Sequence, residues 1–168
     1  MQIRKILRNA LILTVVMCNI GCDQISKTIV RQQVDYNESI KVISDNFTLT
    51  RVENTGAFLS LGSSLPLSIK FLILSLIPSI ALLLGLYFLI TKTGISQAFI
   101  IGSCFVIGGG FGNLYDRLVY GSVTDFFHID FVVFQTGVFN MADVSIMIGV
   151  LILFIQLQMG KTRNTISG

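Results

Sequence analysis

Charge is scarce in this chain: only 12% of its 168 residues are Asp, Glu, Lys or Arg, and there is one histidine. An ordinary soluble domain carries about 25%, so that class is excluded. The lone His128 and the cysteines Cys18, Cys22 and Cys104 do not form a zinc set: Cys18 and Cys22 share a helix face but have no partner histidine, and Cys104 is an isolated apolar filler. There is no Ser-x-x-Lys, no HExxH and no Gly-x-Ser-x-Gly, which disfavours nucleophilic side-chain and zinc mechanisms. Internal repeats and low-complexity tracts are also missing. The formal charge of +3 resembles no nucleic-acid-binding surface and implies at most weak attraction to anionic lipid.

What the chain has instead is apolar length. Hydrophobic residues make up 52% and the mean hydropathy is +0.77, the balance of an integral membrane protein. Apolar runs at about 9–29, 67–90, 96–117 and 138–158 each approach the ~20 residues that cross hydrocarbon. The reading is a single, mainly α membrane domain over 1–168 with four transmembrane helices. Loops at about 31–66 and 118–137 are expected to be extracytoplasmic and to build a small β structure. In the first, Ile40 and Val42 alternate, as do Phe47, Leu49 and Arg51 with Val52, around Ser44, Asp45 and Asn46 as a turn. In the second, Phe126, Phe127, Ile129, Phe131, Val132, Val133 and Phe134 favour strand.

The first run also imitates a bacterial lipoprotein signal, because Arg4, Lys5 and Arg8 precede apolar residues ending in Ile20, Gly21 and Cys22. That would make the chain a substrate. Three further spans, Asn19 where an aliphatic residue is wanted, and the continuing Ile25, Ile29 and Val30 argue against cleavage. Four spans put both termini on one side, and the basic N-terminus with Lys161 and Arg163 assigns that side to the cytoplasm. Lys27, Arg31, Lys41, Arg51 and Arg117 on the other side, with Lys70 just inside the second span, bring the positive-inside count close to a tie.

An alternating path through four spans carries Asp23, Asn113, Asp116, Asn140 and Asp143 to one membrane face, together with both long loops and their Asn54 and Asp125. Asn113 with Asp116, and Asn140 with Asp143, are spaced i,i+3 and share helix faces. Each residue also has a plainer reading. Asn140 and Asp143 form an N-cap with an acid at N3. Asp116, near a helix C-terminus, needs a donor such as Arg117. Asp23 marks the water boundary beside Gln24 and Lys27, while His128 and Asp130 are interfacial loop residues. Gly108, Gly109, Gly110 and Gly112 serve helix packing.

An acid beside an apolar span is nevertheless a functional hypothesis by default, since an unpaired Asp at a helix centre costs roughly 2.5 to 3.5 kcal/mol. With nucleophile and zinc chemistry disfavoured, two carboxylates suffice for hydrolysis by activated water. At ~4 Å their mutual repulsion is about 4 kcal/mol at an effective dielectric of 20, enough to hold one proton between them near neutral pH. The ionised member then activates water and the protonated member polarises a carbonyl.

Five blocks carry a resemblance to the bacterial lipoprotein signal peptidases, or signal peptidase II. They are Asp23-Gln24-Ile25-Ser26-Lys27, Asn54-Thr55-Gly56-Ala57, Gly108-Gly109 through Gly112-Asn113-Leu114-Tyr115-Asp116-Arg117, Val123-Thr124-Asp125-Phe126, and Phe139-Asn140-Met141-Ala142-Asp143. The resemblance implies that Asp125 and Asp143 are catalytic, that Asp23, Asn54, Asn113, Asp116, Arg117 and Asn140 line or support the site, and that no metal or other cofactor is used. It implies lipidated prolipoprotein substrates cut before the diacylglyceryl-modified cysteine, surrounding membrane lipids, an outer-face active site in the bacterial cytoplasmic membrane, a β-cradle made largely by the first loop, and inhibition by globomycin. Phe58 and Leu59 depart from the small and then aromatic residues the family commonly places after Asn-x-Gly-Ala, which bears on the pocket beside Asn54. Asp143, near a helix N-terminus, is expected as the anion, and Asp125, beside Phe126 and Phe127, as the proton holder. A monomer is expected. Two readings come from other classes: a small proton-coupled transporter or channel, which needs polar residues in both membrane halves and is disfavoured by almost wholly apolar inner halves, and a noncatalytic assembly factor, which tolerates loss of either aspartate.

Overall fold

The computed structural model describes residues 2–36, 38–43, 46–57, 61–131 and 134–166. Ser44 and Asp45 of the expected turn, Phe58 and Leu59, and Val132 and Val133 lie outside them. Among the described residues four helices are long and apolar enough to cross a membrane: α1 (Gln2–Gln33), α2 (Leu67–Thr91), α3 (Gln97–Tyr120) and α4 (Met141–Ile166). Two of them outrun their apolar stretches. α1 begins at Gln2 rather than near residue 9, and α4 continues to Ile166 rather than stopping near 158. Hydropathy marks where lipid lies against a helix, whereas the helix ends where hydrogen bonding or a breaker ends it. α3 shows such a breaker, Gly121 at φ 76°, whose N–H closes on the Arg117 carbonyl.

α2 is continuous but uneven, because Leu72–Leu76 opens into a π-helical stretch just before Pro78. A proline has no N–H to give and its ring crowds the carbonyl four residues back; one wider turn relieves both defects without breaking the span.

α3 is the central helix, and its glycines set the approach of its neighbours. A Cβ on Gly108 would meet the Asn19 side chain and the Val16 carbonyl of α1, one on Gly102 would sit 3.0 Å from the Gly149 carbonyl of α4, and one on Gly109 would collide with the Ala142 carbonyl. Backbone-to-backbone packing takes the place of the hydrophobic drive that lipid cannot supply. In one half of the bundle the buried core is Ile12, Val16, Leu89, Ile100, Cys104 and Ile107.

The loops between the spans fold together into one antiparallel sheet in the order β1 (Ser39–Ile43), β2 (Phe47–Asn54), β3 (Val123–Phe131) and β4 (Phe134–Gln135). β3, from the second loop, lies against β2 from the first, so Val52 faces Asp125 and Glu53 faces Thr124. The sheet seats on the end of α1 through Val30, Val34 and Phe126, with Leu49, Phe127 and Met141 around them.

Candidate active site

Asp125 and Asp143 are eighteen residues apart by number, yet a short backbone pairing brings them to one place. Just past Asp125, the N–H groups of Phe126 and Phe127 both donate to the Phe139 carbonyl, at 3.0 and 2.8 Å, and Phe139 N–H returns a bond to Phe127. The residue after Phe139 is therefore delivered beside Asp125. That residue is Asn140, and its Nδ2 donates to Asp125 Oδ1 at 2.6 Å.

Asn140 also opens α4. Its Oδ1 accepts the Asp143 N–H at 3.0 Å, and its own N–H donates to Asp143 Oδ2 at 3.1 Å, a reciprocal capping box with an acid at N3. The capping reading and the site reading are thus the same geometry. One asparagine spans the two aspartates, holding the first by its side-chain amide and the second by its carbonyl oxygen and backbone. Asn113 on α3 completes the hold by donating Nδ2 to Asp143 Oδ1 at 2.9 Å.

The other Asp125 oxygen takes a bond from Asn54 Nδ2 at 3.0 Å. Asn54 closes the end of β2, since its amide also reaches the Ala57 carbonyl at 3.0 Å and its Oδ1 accepts Gly56 N–H at 2.9 Å. Arg117 pins the same loop from α3 by donating to the Gly56 carbonyl at 3.0 Å. Asp125 is buried and Asp143 half-buried. Burial drives the Asp125 carboxyl up to about 6; the bond from Asn54 opposes that rise, the nearby negative charge of Asp143 adds to it, and the bond from Asn140 and the charge of Lys27 oppose it.

Behind this pair lies a buried charge cluster. Lys27 Nζ, with no exposed surface, donates to Asp23 Oδ2 at 2.8 Å and Asn113 Oδ1 at 2.9 Å and pairs with Asp116 Oδ2 at 2.9 Å. Those three contacts match the three protons of an ammonium. Arg31 Nη2 lies 3.1 Å from Asp116 Oδ1 as an ion pair without hydrogen-bond alignment, and Arg31 Nε donates to Thr124 Oγ1 at 2.8 Å. Thr124 in turn donates to Glu53 Oε1 at 2.9 Å, tying α1 to both central strands. Gln24 bridges Asp23, Asp116 and the Gly112 carbonyl.

Two plainer sequence readings are corrected by this cluster. Asp116 takes Lys27 and Arg31 as its partners, not Arg117; a helix of 3.6 residues per turn points adjacent side chains about 100° apart, so Arg117 faces the Asn54 loop while Asp116 faces α1. Asp23 does not mark a water boundary. It is fully buried, and its Oδ1 accepts Ala142 N–H at 2.9 Å, satisfying a free donor in the first turn of α4. The sequence-predicted residues Asp23, Asn54, Asn113, Asp116, Arg117, Asp125, Asn140 and Asp143 form one connected group. Lys27, Gln24, Arg31, Thr124 and Glu53 belong to it without having been singled out as site residues; the i,i+4 spacing of Asp23 and Lys27 was the available signal. His128 and Asp130 stand apart on β3 with Gln135. Among the described residues no group of three or more His, Cys, Asp or Glu side chains is placed to hold a metal.

Toward the other membrane half the polar contacts reach Asn19 and Ser145, whose side chains bond at 2.5 Å, and give way to the apolar core around Ile12 and Ile107. A proton path would need acceptors there. The arrangement offers two carboxylates at one end of the bundle, each held by asparagine amides.

Comparison with known proteins places the chain in a family. The chain is 32% identical to the lipoprotein signal peptidase of Streptococcus pneumoniae over 148 residues, covering 88% of this chain and 92% of that protein. It is 34% identical over 154 residues to the lipoprotein signal peptidase of Clostridioides difficile, covering 92% and 99%. A solved bacterial membrane enzyme superposes with a TM-score of 0.80 at 25% identity, over 92% of this chain and 91% of its own, and another with 0.77 at 26% identity, over 88% and 92%. The family model described as signal peptidase (SPase) II matches residues 15–159, and with that span, those relatives and this fold, the chain belongs to the signal peptidase II family.

Proposed function

We propose that this chain is an intramembrane aspartic endopeptidase that removes signal peptides from diacylglyceryl-modified prolipoproteins, cutting before the lipidated cysteine, with Asp125 and Asp143 as the catalytic pair. The observation that carries the reading is the Asn140 side chain, which donates to Asp125 while its carbonyl oxygen caps Asp143, so one residue tethers both aspartates. The shared-proton logic then assigns roles. Asp125, whose carboxyl is pushed up to about 6, holds the proton. Asp143, at the third position of α4 where the helix dipole favours negative charge, acts as the base.

In the reaction Asp143 takes a proton from water as its oxygen attacks the scissile carbonyl, and Asp125 gives its proton to the carbonyl oxygen. A neutral gem-diol results. On collapse, Asp125 takes back a hydroxyl proton, Asp143 protonates the leaving amide nitrogen, and the carbon–nitrogen bond breaks. The pair returns to its starting charge, with one water consumed. Asn54 and Asn140 orient Asp125, Asn113 and the α4 cap orient Asp143, and Arg117 holds the Asn54–Ala57 loop around the pair.

The substrate explains the location. Its scissile bond is tethered to acyl chains and to an apolar signal helix, so it is presented at the membrane interface, where the sheet offers strand edges to hold the segment extended. The active site faces outward from the cytoplasmic membrane, both termini lie in the cytoplasm, the enzyme acts as a monomer, and globomycin-type cyclic peptides compete for the same cleft. Asp125→Asn and Asp143→Asn, assayed in detergent with a diacylated prolipoprotein peptide, are expected to lower kcat by at least about a thousandfold, the scale of losing a principal acid–base group. Cleavage retained by either variant would overturn the mechanism.

A further inference from the structure

At the membrane face opposite the aspartates, a groove of about 1280 Å³ runs between the start of α1, the start of α3 and the turn before α3. Its lining is graded. On α1, Arg4, Lys5 and Arg8 line it with Leu7 between them, and Leu11 lies beyond all three, about 5 Å past Arg8 along the helix. On α3, Gln97 stands at the mouth, while Ile100 and Ile101 lie about one turn deeper. The basic residues of α1 thus stand nearer the membrane face than Leu11, and Gln97 stands nearer it than Ile100 and Ile101, with Ile95 adding an apolar side chain in the turn before α3. No acidic residue is among the described residues lining the groove.

Arg8 is already committed, since its Nη2 donates to the carbonyls of Leu89 and Lys92 at the end of α2, at 2.6 and 2.7 Å. Arg4 and Lys5 are exposed; at the start of α3 the Ser96 hydroxyl already caps the Phe99 N–H at 3.1 Å, so the positive charge offered to a ligand is that of the two side chains. A small soluble anion would match the mouth alone, and a neutral lipid the wall alone. A ligand matching both has a negative head and a hydrocarbon tail. We propose that this groove binds an anionic phospholipid, its phosphate at Arg4 and Lys5 and one acyl chain along Leu7, Leu11, Ile100 and Ile101.

The test uses the full-length protein in mixed micelles of phosphatidylglycerol and phosphatidylcholine, with retained lipid counted by native mass spectrometry. The wild type is expected to retain phosphatidylglycerol preferentially. Each basic residue near an anionic surface is worth about a fivefold change in binding, so Arg4→Gln with Lys5→Gln should weaken retention by about thirtyfold. Leu11→Trp, which fills the apolar end without touching charge, should weaken it as well. Equal retention of the two lipids by the wild type, or unchanged retention in the double variant, would overturn the proposal. So would competition by inorganic phosphate together with full retention in Leu11→Trp, the signature of a bare anion site.

Discussion

Asp125 sits where a carboxylate is disfavoured, and its proton has consequences in two measurements. Burial raises its carboxyl to about 6 from an ordinary value of 3.8, so the folded chain holds this proton over a pH range in which the unfolded chain has lost it. The protonated form is then the stabilising one: its contribution is fully present below about pH 4 and is lost as pH climbs through 6, by up to about 3 kcal/mol. Thermal unfolding in detergent should show that fall between pH 4 and 7 in the wild type and a smaller one in Asp125→Asn. In kinetics, kcat/KM of the free enzyme should decline above about pH 6, and the limb belongs to the pair rather than to one residue. Asn54 donates to the anion, so Asn54→Ala removes a bond that favours ionisation and should move this limb to higher pH. Lys27 is a second case. Its replacement by Met removes the ammonium shared by Asp23, Asp116 and Asn113 Oδ1 and leaves them Gln24, the Ala142 N–H, Arg31 and Asn140 as partners; removing one partner of a buried ion cluster typically costs about 3 to 5 kcal/mol. Adding Asp116→Asn should restore part of the unfolding temperature, because it removes one of the two buried carboxylates that Lys27 balances.

Among the elements, α3 and α4 meet the site with opposite requirements, closeness in one and capping in the other. Gly112 packs against the Asp23 carboxylate so tightly that a Cβ there would lie 2.5 Å from Asp23 Oδ2. Gly112→Ala must displace that oxygen from Lys27 and Gln24, and overpacking of this kind costs about 1 to 3 kcal/mol; a lower unfolding temperature is the readout, with Gly94→Ala unsuitable as a control because Gly94 has a φ of 77°. At the start of α4, Asn140→Ala removes a cap worth about 1 kcal/mol and the tether to Asp125 together. Asn140→Ser keeps a capping oxygen but lacks the amide donor. It should recover most of the stability lost in Asn140→Ala while leaving kcat depressed, which separates the two duties of one side chain. The i,i+3 spacing of Asn140 and Asp143 showed the cap in the sequence. The second duty depended on the pairing of Phe139 with β3, a contact between residues whose spacing carries no periodic signal.

For the molecule as a whole, the buried acids gather at one end of the bundle and a basic groove opens at the other, and the proposed function puts the acidic end outside. With Cys18, Cys22 and Cys104 replaced by Ser, a single cysteine at Glu38 should react with a membrane-impermeant maleimide added to intact spheroplasts, and one at Thr93 should react only after lysis; the reverse pattern would invert the proposed topology. Net charge hid the basic groove, since +3 spread over 168 residues says nothing of where Arg4 and Lys5 stand relative to Leu11 and Ile101. The sequence by itself determined the number of spans, the strand character of both loops and the face on which Asp23, Asn113, Asp116, Asn140 and Asp143 gather, because hydropathy and helical periodicity are local and leave their record in neighbouring residues. Only the tertiary structure decided that β3 lies beside β2, that Lys27 rather than Arg117 neutralises Asp116, and that Asn140 joins the two aspartates. Those are choices among partners distant in the chain, and they are made by the close approach of helices at glycines and by the need of every buried donor and acceptor to find a mate.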